Sequence, residues 1–186
     1  MITDLIKKTV TGIDKMSDLM GQLVKYLILV LIFVLCYEVI ARYVFDKPTI
    51  WAMETSKMVF GAIGSLCWGY TLKIGGHVRV DLFYTLFSKK WKAIVDVSLT
   101  ALFLFPIELI LIYTGYKWAF FALKVNERMV DSSWLPPSAP FRFVLAIGFT
   151  LFFIQTIAEF IKSVYFLITK DNLIEVDDTY KKEVLI

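Results

Sequence analysis

Four long apolar stretches constrain the fold of this 186-residue sequence more than any other feature. They cover residues 26–45, 50–72, 93–116 and 141–161, and each is nearly continuous in apolar side chains. A helix needs about 20 residues to cross the hydrocarbon core of a bilayer, and all four stretches reach that length. They lack the alternation of apolar and polar residues that transmembrane barrel strands show. The sequence therefore predicts an all-α integral membrane protein with four transmembrane helices.

The composition agrees with a single membrane domain. Hydrophobic residues make up 58% of the chain, above the roughly 45–50% of soluble domains, and the mean hydropathy is +0.68. The formal net charge of +3 is small and the basic residues are scattered around the apolar stretches, which argues against nucleic acid binding. Cys36 and Cys67 lie within apolar stretches, so we interpret both as small hydrophobic residues rather than disulfide partners or metal ligands.

Residues 1–24 precede the first stretch and mix apolar with charged side chains. Their spacing predicts an amphipathic helix at the membrane interface. A secretory signal peptide is the competing interpretation, but the apolar run that follows exceeds the roughly 7–15 residues of a signal peptide, and no cleavage site follows it. Residues 25–168 are predicted to form the four-helix membrane domain, and residues 169–186 a cytoplasmic tail.

The links between the stretches predict an orientation. The first link, Asp46-Lys47-Pro48-Thr49, is short enough to force the first two spans into an antiparallel hairpin. With four crossings, both termini share a side with the link between the second and third spans. That side holds 13 lysine and arginine residues, against seven on the other side. The positive-inside rule therefore predicts that both termini are cytoplasmic.

Charged residues near the hairpin are the first candidate site. An ionisable group inside a span costs roughly 2.5–3.5 kcal/mol on insertion scales, so each one needs an explanation. Glu38 and Arg42 are four residues apart and can pair on one helix face. The short turn also brings Arg42 and Glu54 to a similar depth. We predict that Arg42 bridges both acids and locks the hairpin, with a proton or ion relay as the alternative.

Two features indicate contacts between helices. Gly61, Ser65 and Gly69 recur at intervals of four and predict a helix-packing face, against a helix of this chain or of a partner. In the third span, Pro106 predicts a kink, and Glu108 follows it closely. We predict a packing or partner-facing role for Glu108, with a coupling-ion site at a broken helix as the alternative.

The residues that most often perform chemistry are scarce. His77 is the only histidine of the chain, whereas helical haem proteins use several axial histidines and most zinc sites need more than one. The sequence also lacks the nucleophile, metalloprotease, P-loop and dinucleotide motifs. We therefore predict no enzymatic activity, no cofactor and no metal site.

Three motifs carry a resemblance to a known family. Arg42-Tyr43-Val44-Phe45 is followed by Glu54 after the proline turn, Gly76-His77-Val78-Arg79-Val80-Asp81-Leu82 follows the second span, and Trp134-Leu135-Pro136-Pro137 precedes the last one. With these motifs, the chain resembles the small membrane subunit (Q, or DctQ-like) of tripartite ATP-independent periplasmic (TRAP) transporters over essentially its whole length. The stretch from Gly76 to Leu82 is the most specific.

The resemblance implies partners and a location. The partners would be a large multi-helix membrane subunit (M), which carries the substrate and sodium sites, and a periplasmic substrate-binding protein (P). The small subunit would be a scaffold among the lipids of the bacterial inner membrane, in a system for sodium-coupled uptake of small organic anions such as carboxylates or sulfonates. Gly76, His77, Arg79 and Asp81 would form a cytoplasmic interface motif.

The resemblance also places Trp134, Pro136 and Pro137 on the periplasmic side, where they would help dock the binding protein. Two other classes of function are alternatives. A small oligomeric proton-coupled exporter would use Glu38 as its exchange site and would need that carboxylate unpaired in a cavity. A membrane anchor for a redox enzyme would need more histidines than His77.

Overall fold

A computed structural model describes residues 2–76, 88–130, 133–169 and 173 of the chain. Its regular structure is helical: α1 spans Ile2–Tyr43, α2 Ala52–Lys73, α3 Lys89–Leu99, α4 Phe105–Lys124 and α5 Ala139–Thr169. A π-helical turn, Thr100–Leu104, joins α3 to α4. The described residues thus form four long helical segments, which confirms the predicted all-α fold.

Three helical segments among the described residues are long and apolar enough to cross a membrane: Thr3–Tyr43, Lys90–Lys124 and Ala139–Thr169. They contain the third and fourth predicted spans and all but the last two residues of the first. The α2 helix has 22 residues and therefore enough length, but glycine, serine and threonine interrupt its apolar residues and lower its hydropathy. The crossing of the membrane by α2 stays a prediction.

The first helix is continuous through the predicted boundary at residue 24. It has 42 residues and is about 63 Å long, twice the length that a single crossing needs. Its first half packs against α5, where Val10 and Ala158 are fully buried and share a small apolar core with Leu173. Partly buried Ile13 and Ile161 extend this core. Residues 1–24 therefore contact the helix row, and their position at the membrane interface stays a prediction.

The long helices form an open row in the order α1, α2, α5, α4, in which the first half of α1 also contacts α5. The α1 and α2 helices are an antiparallel hairpin. The α2 and α5 helices run parallel, because Gly61 meets Phe141 and, two turns later, Gly69 meets Leu151. The two outermost helices, α1 and α4, share no extensive contact within the described residues. The helices thus do not close into a ring, and the row has two open sides.

Pro106 interrupts the third predicted span as its chemistry requires. Proline has no backbone N–H to donate to the preceding turn, and the chain accommodates it with the π-helical turn Thr100–Leu104. Such turns bend helices and often lie at functional positions. The predicted kink therefore takes the form of a wide turn inside one helical segment. Lys89–Lys124 does not separate into two half-helices whose ends could hold an ion.

Candidate functional site: two polar clusters and a small-residue helix interface

The row has two ends along the helix axes. At the end where α1 leads into α2, Glu38 holds the turn between these helices. Its carboxylate accepts hydrogen bonds from the Arg42 guanidinium, with Nε at 2.9 Å, and from Thr49. Thr49 donates both its backbone N–H, at 3.1 Å, and its hydroxyl. The rings of Tyr37 and Trp51 stack beside the turn with their centroids 5.7 Å apart. Glu38 therefore ties the last turns of α1 to the segment that leads into α2.

Glu54 does not belong to this cluster. Its side chain is fully buried, and neither carboxylate oxygen has a hydrogen-bond partner among the described residues. The predicted bridge from Arg42 to Glu54 does not form, so the expectation is corrected to a single pair between Arg42 and Glu38. Helix geometry gives the reason. Glu54 is fully buried on the face of α2 that carries Gly61, nearly two turns before it, whereas the Arg42 side chain is 47% exposed on α1.

The link between α4 and α5 is folded at its base. Arg128 forms an isolated antiparallel bridge with Pro137 and donates to the carbonyl of Leu135 at 3.1 Å. From the first turn of α5, Arg142 donates to the Glu127 carboxylate at 2.5 Å. The two arms of the link are therefore held to each other, and its first residues are held to α5.

Two of the three residues predicted to dock the binding protein lie at the surface of this link. Trp134 is 43% exposed and Pro137 is also exposed. Pro136 is buried, and its carbonyl accepts a hydrogen bond from the backbone N–H of Met129 at 2.9 Å. The structure thus gives Pro136 a role in holding the link, while docking by Trp134 and Pro137 stays a prediction.

At the other end of the row, a buried polar network joins α1 to α5. The fully buried side chain of Gln155 donates to Asp14 at 2.9 Å and accepts from the Ser17 hydroxyl at 2.7 Å. Lys162 donates to Asp14 at 3.0 Å and to Glu159 at 2.7 Å. Buried polar groups are tolerated when their hydrogen bonds are made, so these contacts fix the register of α1 against α5.

Only the α5 half of this network leaves a clear signal in the sequence. Gln155, Glu159 and Lys162 recur on one helix face and indicate an interfacial charged group, but their spacing does not identify a partner far away along the chain. The signal in α1 is the placement of Asp14 and Ser17 on the same face as apolar residues such as Val10. Polar residues on the apolar face of an amphipathic helix indicate a polar partner within the protein.

The predicted packing face of α2 lies against α5. A Cβ added at Gly148 of α5 would lie 2.6 Å from the Cβ of Ser65, and one added at Gly61 would lie 2.6 Å from the ring of Phe141. A Cβ on Gly69 would lie 3.4 Å from a backbone carbonyl of α5. Small side chains therefore allow these two helices to approach closely, and the neighbour is a helix of this chain.

Glu108 joins α4 to α5 just after the π-helical turn. Its buried carboxylate accepts a hydrogen bond at Oε1 from the Thr156 hydroxyl at 2.6 Å, while Oε2 has no hydrogen-bond partner in the part of the chain that the structure describes. This contact supports the predicted packing role of Glu108.

The cytoplasmic interface motif is described only at its first residue. Gly76 follows α2, and its N–H donates to the carbonyl of Thr71 at 2.9 Å. His77, Arg79 and Asp81 lie outside the described residues. Within residues 2–76, 88–130, 133–169 and 173, no group of three or more histidine, cysteine, aspartate or glutamate residues could hold a metal ion.

The polar clusters stand at the two ends of an apolar layer. Lys73 at the end of α2 pairs with Asp18 of α1, and 24 residues after Asp18 the same helix carries Arg42 in its pair with Glu38. This part of α1 is about 36 Å long, close to the roughly 30 Å of a bilayer core plus its boundaries. Between the clusters, apolar side chains such as Phe33, 70% exposed, cover the outside of the helix. Fold and clusters together define a helical membrane protein.

Comparison with known families specifies the class. The model for "Tripartite ATP-independent periplasmic transporters, DctQ component" matches residues 31–165, well over half of the chain. The chain belongs to this family, which confirms the resemblance carried by the sequence motifs. It is thus the small membrane component of a TRAP transporter rather than an enzyme. No curated protein matches the chain.

Proposed function

We propose that this chain is the scaffold subunit of a sodium-coupled TRAP transporter in the bacterial inner membrane. It braces the large multi-helix subunit during uptake of small organic anions, carboxylates or sulfonates, and helps to dock the periplasmic binding protein. The observation that carries the proposal is the open row of helices in a member of the DctQ family. A row offers broad apolar sides for another protein to cover, but it does not surround a path of its own.

The hydrogen bonds of the buried polar groups support a structural role. Gln155 and Glu108 bond to neighbouring helices, and Glu38 bonds to the turn that follows its own helix. A proton-coupled exporter would need Glu38 unpaired in a cavity, whereas this carboxylate accepts hydrogen bonds from both Arg42 and Thr49. The contacts of Glu38 therefore favour a scaffold over the exporter.

Four crossings with both termini in the cytoplasm are part of the proposal. The Lys73–Asp18 pair and the turn at Thr49 stand at opposite ends of α2, so this helix has the length and the polar boundaries of a span. Its modest hydropathy has a packing reason, because Gly61 and Ser65 face α5 instead of lipid. The excess of lysine and arginine on the side of the termini, 13 against seven, supports a cytoplasmic location for both.

In this orientation the link between α4 and α5 is periplasmic. It exposes Trp134 and Pro137, and Arg128 and Arg142 hold its base. An exposed tryptophan on a firmly held segment suits a protein contact, because tryptophan is enriched where interfaces derive most of their binding energy. We therefore assign docking of the binding protein to Trp134 and Pro137.

Co-expression with the large subunit tests the proposal. The chain carries the affinity tag, and a large multi-helix membrane protein from a neighbouring reading frame is the untagged partner. We expect the two to copurify in mild detergent, and we expect proteoliposomes to accumulate an organic anion only with both subunits, the binding protein and a sodium gradient. Recovery of the chain alone as a homodimer that exchanges substrate for protons would contradict the proposal.

A further inference from the structure

The first half of α1 carries a basic patch on its outer side. Lys7, Lys8 and Lys15 are exposed there and line a shallow depression together with Asp4, Thr11 and Gly12. Three cations thus face one anion. The two other acids of this segment point elsewhere, since Asp14 pairs with Lys162 of α5 and Asp18 pairs with Lys73 of α2. The patch therefore keeps a net positive charge.

The patch continues the outer face of α1. Positions seven residues apart lie nearly above one another on a helix, and positions 8, 15, 22, 29 and 36 are all exposed. They are occupied by Lys8, Lys15, Gln22, Leu29 and Cys36. Along this face, Leu29 and Cys36 lie within the apolar layer, Gln22 lies near its edge, and the lysines lie beyond the Lys73–Asp18 pair. A helix face changes in this way where it passes from acyl chains to lipid headgroups.

The depth of the lysines fits the headgroups. Lys15 lies three residues beyond Asp18, about 4.5 Å along the helix, and the headgroup region extends about 5–7 Å beyond the hydrocarbon core. Lys8 lies about 15 Å beyond Asp18, roughly one Debye length from the outer limit of the headgroups at physiological salt. Both ammonium groups therefore lie within the range in which an anionic membrane surface attracts them.

Apolar side chains beside the patch extend the contact. Leu19 and Leu23, which lie at and just inside the level of Asp18, are 53% and 49% exposed on the neighbouring strip of the helix surface. A lipid beside α1 can therefore contact leucine with its acyl chains and lysine with its headgroup.

We infer that the basic patch binds the headgroups of anionic phospholipids such as phosphatidylglycerol. The inference rests on the four-crossing arrangement proposed above, which places these headgroups in the cytoplasmic leaflet. The lipid anchors the long first helix against the membrane surface and so holds the scaffold subunit at a fixed tilt. Each lysine near an anionic surface contributes about 1 kcal/mol of attraction, which corresponds to about a fivefold change in relative affinity.

Local fluorescence quenching in the complete complex tests the inference. Cys36 and Cys67 are replaced by alanine, and a fluorophore is attached through Gly12→Cys, where an added Cβ meets no atom within 4 Å. The complex is reconstituted in phosphatidylcholine vesicles with a small fraction of either phosphatidylglycerol or phosphatidylcholine that carries a nitroxide near the headgroup. Both leaflets contain the probe lipid, so the orientation of the protein does not affect the readout.

We expect labelled phosphatidylglycerol to quench more strongly than labelled phosphatidylcholine. The ratio of quenching by phosphatidylglycerol to quenching by phosphatidylcholine should fall about fivefold in Lys8→Gln and about fivefold in Lys15→Gln. It should be restored when arginine occupies both positions. In 1 M salt it should fall for the unchanged protein as well. The control is Lys117→Gln with Lys124→Gln, two exposed lysines near the other end of the row, which should leave the ratio unchanged.

Equal quenching by the two lipids, or a ratio that Lys8→Gln and Lys15→Gln do not change, overturns the inference. Loss of the large subunit from the lysine variants without a change in the ratio also overturns it, and assigns the patch to a protein interface. Copurification in neutral detergent reports on the scaffold proposal separately. A complex that forms without lipid selectivity therefore refutes the lipid site alone.

Discussion

Glu38 shows how a charged residue inside a predicted span can be structural. Its carboxylate serves two segments at once, because Arg42 lies one turn further along α1 and Thr49 lies beyond the turn. An acid whose oxygens accept hydrogen bonds from its own chain is satisfied by the fold itself. The contacts to Thr49 cross from the helix to the segment after it, so they contribute more to the hairpin than the exposed Arg42 pair does.

Removing the Glu38 side chain and removing the Arg42 side chain should therefore have unequal effects. We expect Glu38→Ala to lower the stability of the complex by about 1–3 kcal/mol, because it abolishes the ties to Thr49 and to Arg42. Arg42→Ala should cost about 1 kcal/mol or less, because it removes one half-exposed pair. Thermal unfolding in detergent measures both, with Lys124→Ala on the exposed end of α4 as the control. Equal losses in the two variants would show that Arg42 alone holds the turn.

At the scale of helices, the sequence predicted the elements better than their partners. Runs of about 20 apolar residues predict helices in a bilayer whatever their neighbours, so three of the four long helical segments were predicted to within a few residues of their centres. The exception is α1, which joins the predicted interfacial helix and the first predicted span in one continuous helix. The partner of a face depends on the whole packing, which local spacing does not contain. The small residues of α2 indicated a close approach but not α5, and the depth of Glu54 indicated Arg42, although the buried Glu54 carboxylate has no hydrogen-bond partner among the described residues.

The close approach of α2 and α5 gives a matched pair of glycine variants. Gly148→Ala should destabilise the protein by about 1–3 kcal/mol, because the new methyl group would lie 2.6 Å from the Cβ and 2.7 Å from the carbonyl oxygen of Ser65. Gly64→Ala introduces the same change on the open side of α2, where an added Cβ meets no atom within 4 Å. It should be neutral or stabilise by up to about 1 kcal/mol through helix propensity. Thermal unfolding of the purified chain should separate the two, and similar midpoints would contradict the helix contact.

The buried network between α1 and α5 predicts what releases the first half of α1. Gln155→Leu keeps the size of the side chain but leaves Asp14 and Ser17 without one partner each, at about 1–3 kcal/mol per unsatisfied group. We expect faster proteolysis within residues 1–24 and a lower midpoint of thermal unfolding. Gln22→Leu makes the same substitution at an exposed position of α1 and is the control. If residues 1–24 are equally protected in both variants, the network does not hold this segment.

At the scale of the whole molecule, the polar contacts lie at two opposite ends of the helices, with the apolar layer between them. The turn at Thr49 and the link with Trp134 lie at one end, while the network around Gln155 and the pair of Lys73 with Asp18 lie at the other. The two ends can therefore contact different partners at the same time. The proposed brace needs this arrangement, because it would meet the binding protein on one side of the membrane while its apolar sides meet the large subunit.

Docking at the periplasmic end predicts a defect that depends on the binding protein. We expect Trp134→Ala to raise by several-fold the binding-protein concentration needed for half-maximal uptake, since exposed tryptophans often carry interface energy. Copurification with the large subunit should not change. Trp91→Ala, which alters a 61% exposed tryptophan near the opposite end of the row, is the control and should leave uptake unchanged. An equal change in both variants would attribute the effect to general folding.

The number of crossings is the property on which the whole arrangement depends, and α2 decides it. If α2 crosses the membrane, its two flanking segments lie on opposite sides; if it does not, they lie on the same side. Single cysteines at Lys47, before α2, and at Ser88, between α2 and α3, report this directly in a variant without Cys36 and Cys67. We expect a membrane-impermeant maleimide to label position 47 in intact spheroplasts and position 88 only after lysis. Labelling of both positions before lysis would leave three crossings and place the two termini on opposite sides.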